Sequence, residues 1–122
     1  MRKRTKLSKY QAELYQFLQD NSDTVCLWDS ADTSLPDALA ARNLVTVQRI
    51  NNRALLKVNS LLRVAGQVYV ADRCSYSDKR TIVWWQDEIV ALVVGRRKPR
   101  AITYADMTDA VPPILDRRGR LK

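Results

Sequence analysis

The side chains of this sequence that could do chemistry are mainly cationic. Two groups stand out, and their members are Arg42, Arg49, Arg53 and Lys57 in the first and Arg96, Arg97, Lys98 and Arg100 in the second. No Asp or Glu interrupts residues 42–63 or residues 95–100. The guanidinium group presents a planar fork of donors that matches phosphate oxygens. Both groups therefore predict contacts with the phosphate backbone of a nucleic acid.

The residue types that common enzymes need are largely missing. The sequence has no histidine, which removes the commonest general base and most zinc sites. Cys26 and Cys74 are far apart, and we expect free thiols, although their spacing leaves one disulfide open. Three glycines are too few for a phosphate-binding loop. We therefore expect no enzyme, no metal site and no cofactor.

Positive charge is concentrated in a few places along the chain. The net charge is +8, and twelve of the 21 Lys and Arg residues lie in three acid-free runs at residues 1–6, 95–100 and 117–122. Residues 10–41 contain six acidic residues and no Lys or Arg. This distribution predicts an acidic lobe beside a basic remainder, and it favours an anionic partner over a merely solvated surface.

The element that must position the first group is a β-hairpin over residues 44–58 (LVTVQRINNRALLKV). Asn51 and Asn52 tolerate the positive φ angles of a primed two-residue turn. Such a turn pairs Val45 with Val58 at the open end. One face of the hairpin is then apolar, and the other is mixed and basic.

The remaining segments predict a single α+β domain over residues 7–111, with a basic arm at residues 1–6 and a basic tail at residues 112–122. A capping box of Ser8 and Gln11 starts the first helix. The expected elements are a helix at 9–20, a strand at 24–28, a helix at 35–43, a strand at 61–72, a polar loop at 73–80 and a last short helix from 103. We expect two N-terminal helices on an antiparallel sheet of four to five strands, followed by the short C-terminal helix and the tail.

Residues 81–94 (TIVWWQDEIVALVV) form the most apolar segment and precede the second cationic group. We expect two strands, with a buried helix as the competing assignment, because Asp87 and Glu88 suit a tight turn poorly. Trp84 and Trp85 point to opposite faces, so the hairpin is apolar on both sides. Such strands need cover from helices or from another subunit. Trp84 and Trp85 are therefore the expected contacts for a protein partner.

The order helix, strand, helix, hairpin over residues 9–58 resembles a winged-helix DNA-binding module. The segment LAARNLVTV stands where such modules pass from the recognition helix into the wing. The resemblance implies a DNA-binding regulator whose recognition helix enters the major groove. Residues 29–43 hold one helix where the family has two, and this helix carries Asp37 and no cation before Arg42. A groove lined by phosphates disfavours that charge.

These observations predict a small basic nucleic-acid-binding protein that contacts DNA or RNA through the hairpin and the basic runs. The alternative is a non-enzymatic protein-interaction or assembly subunit that uses residues 81–94 to bind a protein partner or to form a homo-oligomer. No apolar run is long enough to span a membrane, and the N-terminus lacks the apolar core of a signal peptide. We therefore expect a cytoplasmic protein without a membrane partner.

Overall fold

A computed structural model describes residues 6–107 and 111–122 of the chain. These residues form two α-helices, one 3₁₀ helix and ten strands. They are α1 (Lys9–Asp20), β1 (Cys26–Trp28), α2 (Ser34–Ala40), β2 (Val45–Ile50), β3 (Arg53–Val58), β4 (Leu61–Val64), β5 (Gln67–Val70), β6 (Arg73–Ser77), β7 (Arg80–Trp85), β8 (Glu88–Val94), β9 (Arg100–Ala101), the 3₁₀ helix (Tyr104–Met107) and β10 (Ile114–Leu115).

The predicted fold, two helices on one antiparallel sheet of four to five strands, is wrong. Within the described ranges the strands far outnumber the helices and are divided among three sheets. At the position of the predicted C-terminal helix there is one 3₁₀ turn, and residues 108–110 lie outside the described part. The predicted basic arm also lies outside it, except for Lys6.

The first sheet, ordered β10-β1-β3-β2, contains the predicted hairpin. β2 and β3 pair in the predicted register, with Val45 opposite Val58 and Ile50 opposite Arg53. Asn51 has a φ of 54°, which asparagine tolerates better than most residues. β1 pairs antiparallel with β3 and parallel with β10. Part of the segment predicted as a tail is therefore a strand of this sheet.

Helix α1 packs against the first sheet and starts at the predicted capping box. Ser8 Oγ accepts from the Gln11 N–H, and Gln11 Oε1 accepts from the Ser8 N–H. Leu14 and Leu18 are one turn apart on the same helix face, and both join the buried cluster that contains Trp28. The main core therefore lies between the helices and the first sheet.

Two further sheets follow, ordered β5-β4-β9 and β6-β7-β8. The predicted single strand over residues 61–72 and the predicted loop over residues 73–80 are both wrong. Ala65 and Gly66 turn the chain between β4 and β5, and Asp78 and Lys79 turn it between β6 and β7. All four residues have positive φ, from 48° to 83°. Because Ala and Lys rarely adopt this conformation, these primed turns carry little sequence signal.

The two strands predicted in residues 81–94 are confirmed as β7 and β8. Their turn is formed by Gln86 and Asp87, with φ of 50° and 66°, and it pairs Trp85 with Glu88. The pairing then skips Val90, which forms a β-bulge. Because of this bulge, Trp85 and Leu92 lie on opposite faces of the sheet.

The third sheet has one buried face and one open face. Val83 is fully buried in a second cluster with Val64 and Ala71. Cover by the helices, one of the two expectations, is wrong, because the helices pack against the first sheet instead. Cover by another subunit stays a prediction. Among the described residues no helix is long and apolar enough to cross a membrane.

Candidate nucleic-acid interface and exposed strand

The two arginines predicted to contact phosphate from the β2–β3 hairpin are paired with carboxylates. Arg49 Nη2 lies 2.6 Å from Asp37 Oδ2 on α2. Arg53 Nε lies 3.0 Å from Asp29 Oδ1, just after β1. The acidic segment at residues 10–41 therefore neutralises much of the hairpin's positive charge.

Asp29 holds a second cation from the far end of the chain. Its Oδ2 accepts from Lys122 Nζ at 2.7 Å. This hydrogen bond is the main cause that lowers the pKa of Asp29, and the charges of Lys122 and Arg53 lower it further. The carboxylate therefore remains ionised at neutral pH and joins the hairpin to the C-terminal segment.

Lys57, the third predicted contact on the hairpin, is only 8 % exposed. Its Nζ donates to Val58 O at 3.2 Å and lies 5.7 Å from the ring centroid of Tyr104. Desolvation lowers the pKa of Lys57, and burial raises the pKa of Tyr104 to about 12. The Tyr104 hydroxyl donates to Thr46 O at 2.6 Å. The Lys57 ammonium is thus part of the packing between the hairpin and the 3₁₀ helix.

The second cationic group has a different environment. We call residues 96–100, which link β8 to β9, the basic connection. Its four cations are all exposed. In the described part of the chain, Arg100 alone of the four forms an ion pair, a 3.7 Å contact with Asp106. The Arg96 guanidinium lies 5.6 Å from the Tyr76 ring centroid. The basic connection therefore presents positive charge to solvent.

Buried Thr81 on β7 fixes the backbone of the basic connection. Its Oγ1 accepts from the Arg97 N–H at 2.7 Å and donates to Gly95 O at 2.7 Å. The Tyr76 hydroxyl donates to Arg97 O at 2.9 Å. Gly95 has a φ of 84°, in the left-handed region that favours glycine. A rigid backbone thus carries the exposed cations.

Arg63 adds a fifth cation beside the basic connection. It lies on β4 directly opposite Arg100 on β9. Like charges in opposite positions of a ladder destabilise it. Hydrogen bonds from Thr103 chiefly lower the pKa of nearby Asp106, and the charges of Arg100 and Arg63 also lower it. These three charged groups line a cavity of about 240 Å³, in which two guanidinium groups face one carboxylate.

Arg42 and Trp85, predicted for different roles, line the same cavity of about 820 Å³. Tyr15 and Asp72 also line it, so its wall combines aromatic rings with both signs of charge. Arg42 Nη2 donates to Lys6 O at 3.4 Å. The structure thus separates Arg42 from the other predicted phosphate contacts and places it beside one predicted partner residue.

Trp84 is already engaged by neighbours in its own sheet. Its Nε1 donates to Ser75 Oγ at 2.7 Å, and the Arg73 guanidinium lies 4.5 Å from its ring centroid. Trp84 and Trp85 are both half-buried. The more accessible apolar surface lies on the neighbouring strand.

That strand, β8, lies at the edge of the third sheet. Its exposed apolar side chains are Ile89 (54 %), Val90 (47 %), Leu92 (57 %) and Val94 (83 %). An exposed apolar edge strand is a ready template for pairing with another chain. The sequence alone does not distinguish Arg63, because an isolated arginine in a strand has no distinctive spacing.

Both cysteines are free thiols. Burial raises the pKa of Cys26 to about 12 and also raises the pKa of Cys74. In residues 6–107 and 111–122, no group of three or more His, Cys, Asp or Glu side chains is placed to hold a metal ion.

No protein-family model, curated protein or solved structure matches this chain.

Proposed function

We propose that this chain is a cytoplasmic, non-enzymatic protein that binds nucleic acid through the phosphate backbone. The phosphate contacts are made by the basic connection together with Arg63. Arg49 and Arg53 of the first hairpin form ion pairs within the fold, and the Lys57 ammonium is buried, so we assign these three side chains no phosphate contact. The two free cysteines are compatible with the reducing conditions of the cytoplasm.

The observation that carries this proposal is the juxtaposition of Arg63 and Arg100 beside three other exposed cations. Two guanidinium groups in opposite ladder positions repel each other, and one carboxylate, Asp106, lies close to both. A phosphate placed between them relieves that repulsion and accepts charge-assisted hydrogen bonds. The anionic partner thus supplies the charge that the protein lacks at this position.

Binding of this kind tolerates different base sequences. Phosphate contacts fix the position of a protein on nucleic acid but carry no direct sequence information. Helix α2, which the winged-helix resemblance would place in the major groove, carries Asp37, and that carboxylate is bound to Arg49. We therefore expect similar affinity for unrelated sequences of the same polymer.

A second candidate function, protein interaction through the β7–β8 hairpin, is favoured by the exposed apolar side chains of β8. Protein interaction of this kind requires no nucleic acid. The basic connection begins where β8 ends, so the two functions use adjacent but different residues and can reside in one molecule.

Fluorescence anisotropy tests the proposal with labelled duplex DNA, single-stranded DNA and RNA over a series of salt concentrations. We expect the logarithm of affinity to fall linearly with the logarithm of salt, with a slope that corresponds to roughly four phosphates. Two unrelated sequences of each polymer serve as the control for sequence tolerance. Absence of binding to all three polymers at low salt would overturn the proposal.

A further inference from the structure

We propose that β8 pairs antiparallel with β8 of a second copy of this chain, so that two third sheets join into one sheet of six strands. This inference goes beyond nucleic-acid binding and rests on separate observations. They are the free edge of β8, its apolar side chains and the distribution of charge along it.

The backbone of β8 has hydrogen-bonding groups available on its outer edge. In an antiparallel ladder, alternate residues direct their N–H and C=O groups towards the partner strand. The Gly95 N–H donates to Lys79 O across the hairpin. The backbone groups of Gly95 therefore face β7. Because the direction alternates along the strand, the N–H and C=O groups of Val94 and Leu92 point away from β7. No described strand pairs with this side of β8.

The apolar surface is concentrated on this edge and not on the middle of the sheet. Leu92 and Val94 on β8 are exposed, whereas Ile82 and Trp84 on the adjacent strand β7 are half-buried. Pairing through the edge turns β8 into an inner strand, where its side chains contact those of the second copy. A partner that covered only the face of the sheet would leave the backbone edge open.

The charge along β8 specifies the orientation. The strand begins at Glu88, and the cations of the basic connection follow its end. A strand with one acidic and one basic end complements a second copy of itself when the two run antiparallel. Because the bulge at Val90 shortens the strand by one position, a two-fold axis at Leu92 places Glu88 opposite Gly95 of the second copy, beside which the Arg97 side chain lies. This pair of opposite charges occurs twice.

The same axis gives matched apolar contacts across the junction. Leu92 lies opposite Leu92 of the second copy, Ala91 opposite Val93, and Ile89 opposite Val94. Each pair joins side chains on the same face of the extended sheet. The second copy is therefore the occupant that satisfies the backbone, the apolar side chains and the charged ends together.

Sedimentation velocity of the full chain without nucleic acid tests the pairing over a range of protein concentrations. We expect a reversible change from the monomer mass of 14.0 kDa to twice that mass. Leu92→Lys places a charge at the two-fold axis and should leave a monomer throughout. The matched control is Ile50→Lys, because Ile50 is 46 % exposed on β2, an edge strand of another sheet. This control should dimerise like the wild type.

Exchanging the charges tests the register. Glu88→Lys and Arg97→Glu should each weaken dimerisation by about tenfold, since each removes two attractive pairs. The decisive sample is the double variant, which should regain the wild-type affinity. Circular dichroism checks that each variant is folded.

Three results would overturn the pairing. The first is a wild type that remains monomeric at the highest concentration, which would leave β8 to a different protein. The second is aggregation without a defined dimer. The third is a charge-exchanged double variant that stays as weak as its parents. Because nucleic acid is absent, failure here is distinguishable from failure of nucleic-acid binding.

Discussion

The β2–β3 and β7–β8 hairpins both have two-residue turns, but their surroundings are opposite. The first contributes buried Leu56 to the main core, and its arginines are paired with Asp37 and Asp29. The second leaves Leu92 exposed on β8 and leads into the exposed cations of the basic connection. The arginines of the first hairpin form ion pairs within the chain, whereas the second hairpin presents a free strand edge and solvent-exposed cations.

The largest expected difference between the hairpins is in core stability. Leu56→Ala in β3 should lower the free energy of unfolding by about 2 to 5 kcal/mol, because Leu56 is fully buried. The same substitution at Leu92 in β8 should change it by less than about 0.5 kcal/mol in the monomer. Urea unfolding at low protein concentration measures both. A loss of stability at Leu92 as large as that at Leu56 would contradict the exposure of Leu92 in the monomer.

The next effect concerns the attachment of the basic connection to its hairpin. Thr81→Val leaves Gly95 O and the Arg97 N–H without their hydroxyl partner and should cost about 1 to 3 kcal/mol. Thermal unfolding measures this loss. Thr46→Val is the control, because the Thr46 hydroxyl bonds an exposed Asn59 side chain and should matter by less than about 0.5 kcal/mol. Equal effects would show that Thr81 does not fix this segment.

A smaller effect on stability is expected at Lys57, and it distinguishes a lysine buried in the fold from one that binds phosphate. Lys57→Met should raise stability by about 1 kcal/mol at pH 7, because it removes a desolvated ammonium. The pKa of Lys57 is lower in the folded state, so the unfolded state binds more protons as pH approaches 10.5. Wild-type stability should therefore rise between pH 7 and pH 10 relative to Lys57→Met. A variant destabilised at every pH would contradict this reading.

The smallest expected effect is the loss of the Asp29 ion pairs at acidic pH. The pKa of Asp29 is lowered in the folded state, so its contribution is present above the ordinary pKa of 3.8 and is lost as pH falls through the folded value. Asp29→Asn should therefore lower Tm slightly above about pH 5, with the difference fading as the pH falls below 3.8. Thermal scans measure it, and a difference that persists in acid would argue against these ion pairs.

Short local sequence motifs specify the elements that were predicted correctly. Ser8 and Gln11 define the start of α1, and Asn51 with Asn52 locates the turn that sets the β2–β3 register. The missed strands depend on turns at Ala65 and Lys79, residue types that rarely adopt positive φ. Such turns form because the flanking strands pair, so their cause is not local.

The candidate site was predictable in residue type but not in environment. Arg49 and Arg97 look alike in the sequence. Asp37, which binds Arg49, lies 12 residues away from it, and Asp29 lies 24 residues away from Arg53. Which cations remain open to a ligand therefore depends on tertiary contacts. The exposure of β8 has the same origin, because it follows from which sheet the helices cover.

The most direct test of the central claim compares two charge-matched double variants in the salt series. Arg97→Gln with Lys98→Gln removes two charges from the basic connection, and Arg49→Gln with Arg53→Gln removes two from the first hairpin. We expect the slope of log affinity against log salt for duplex DNA to fall by about 2 in the first variant and to stay unchanged in the second. Equal losses, or a larger loss in the hairpin variant, would contradict the account.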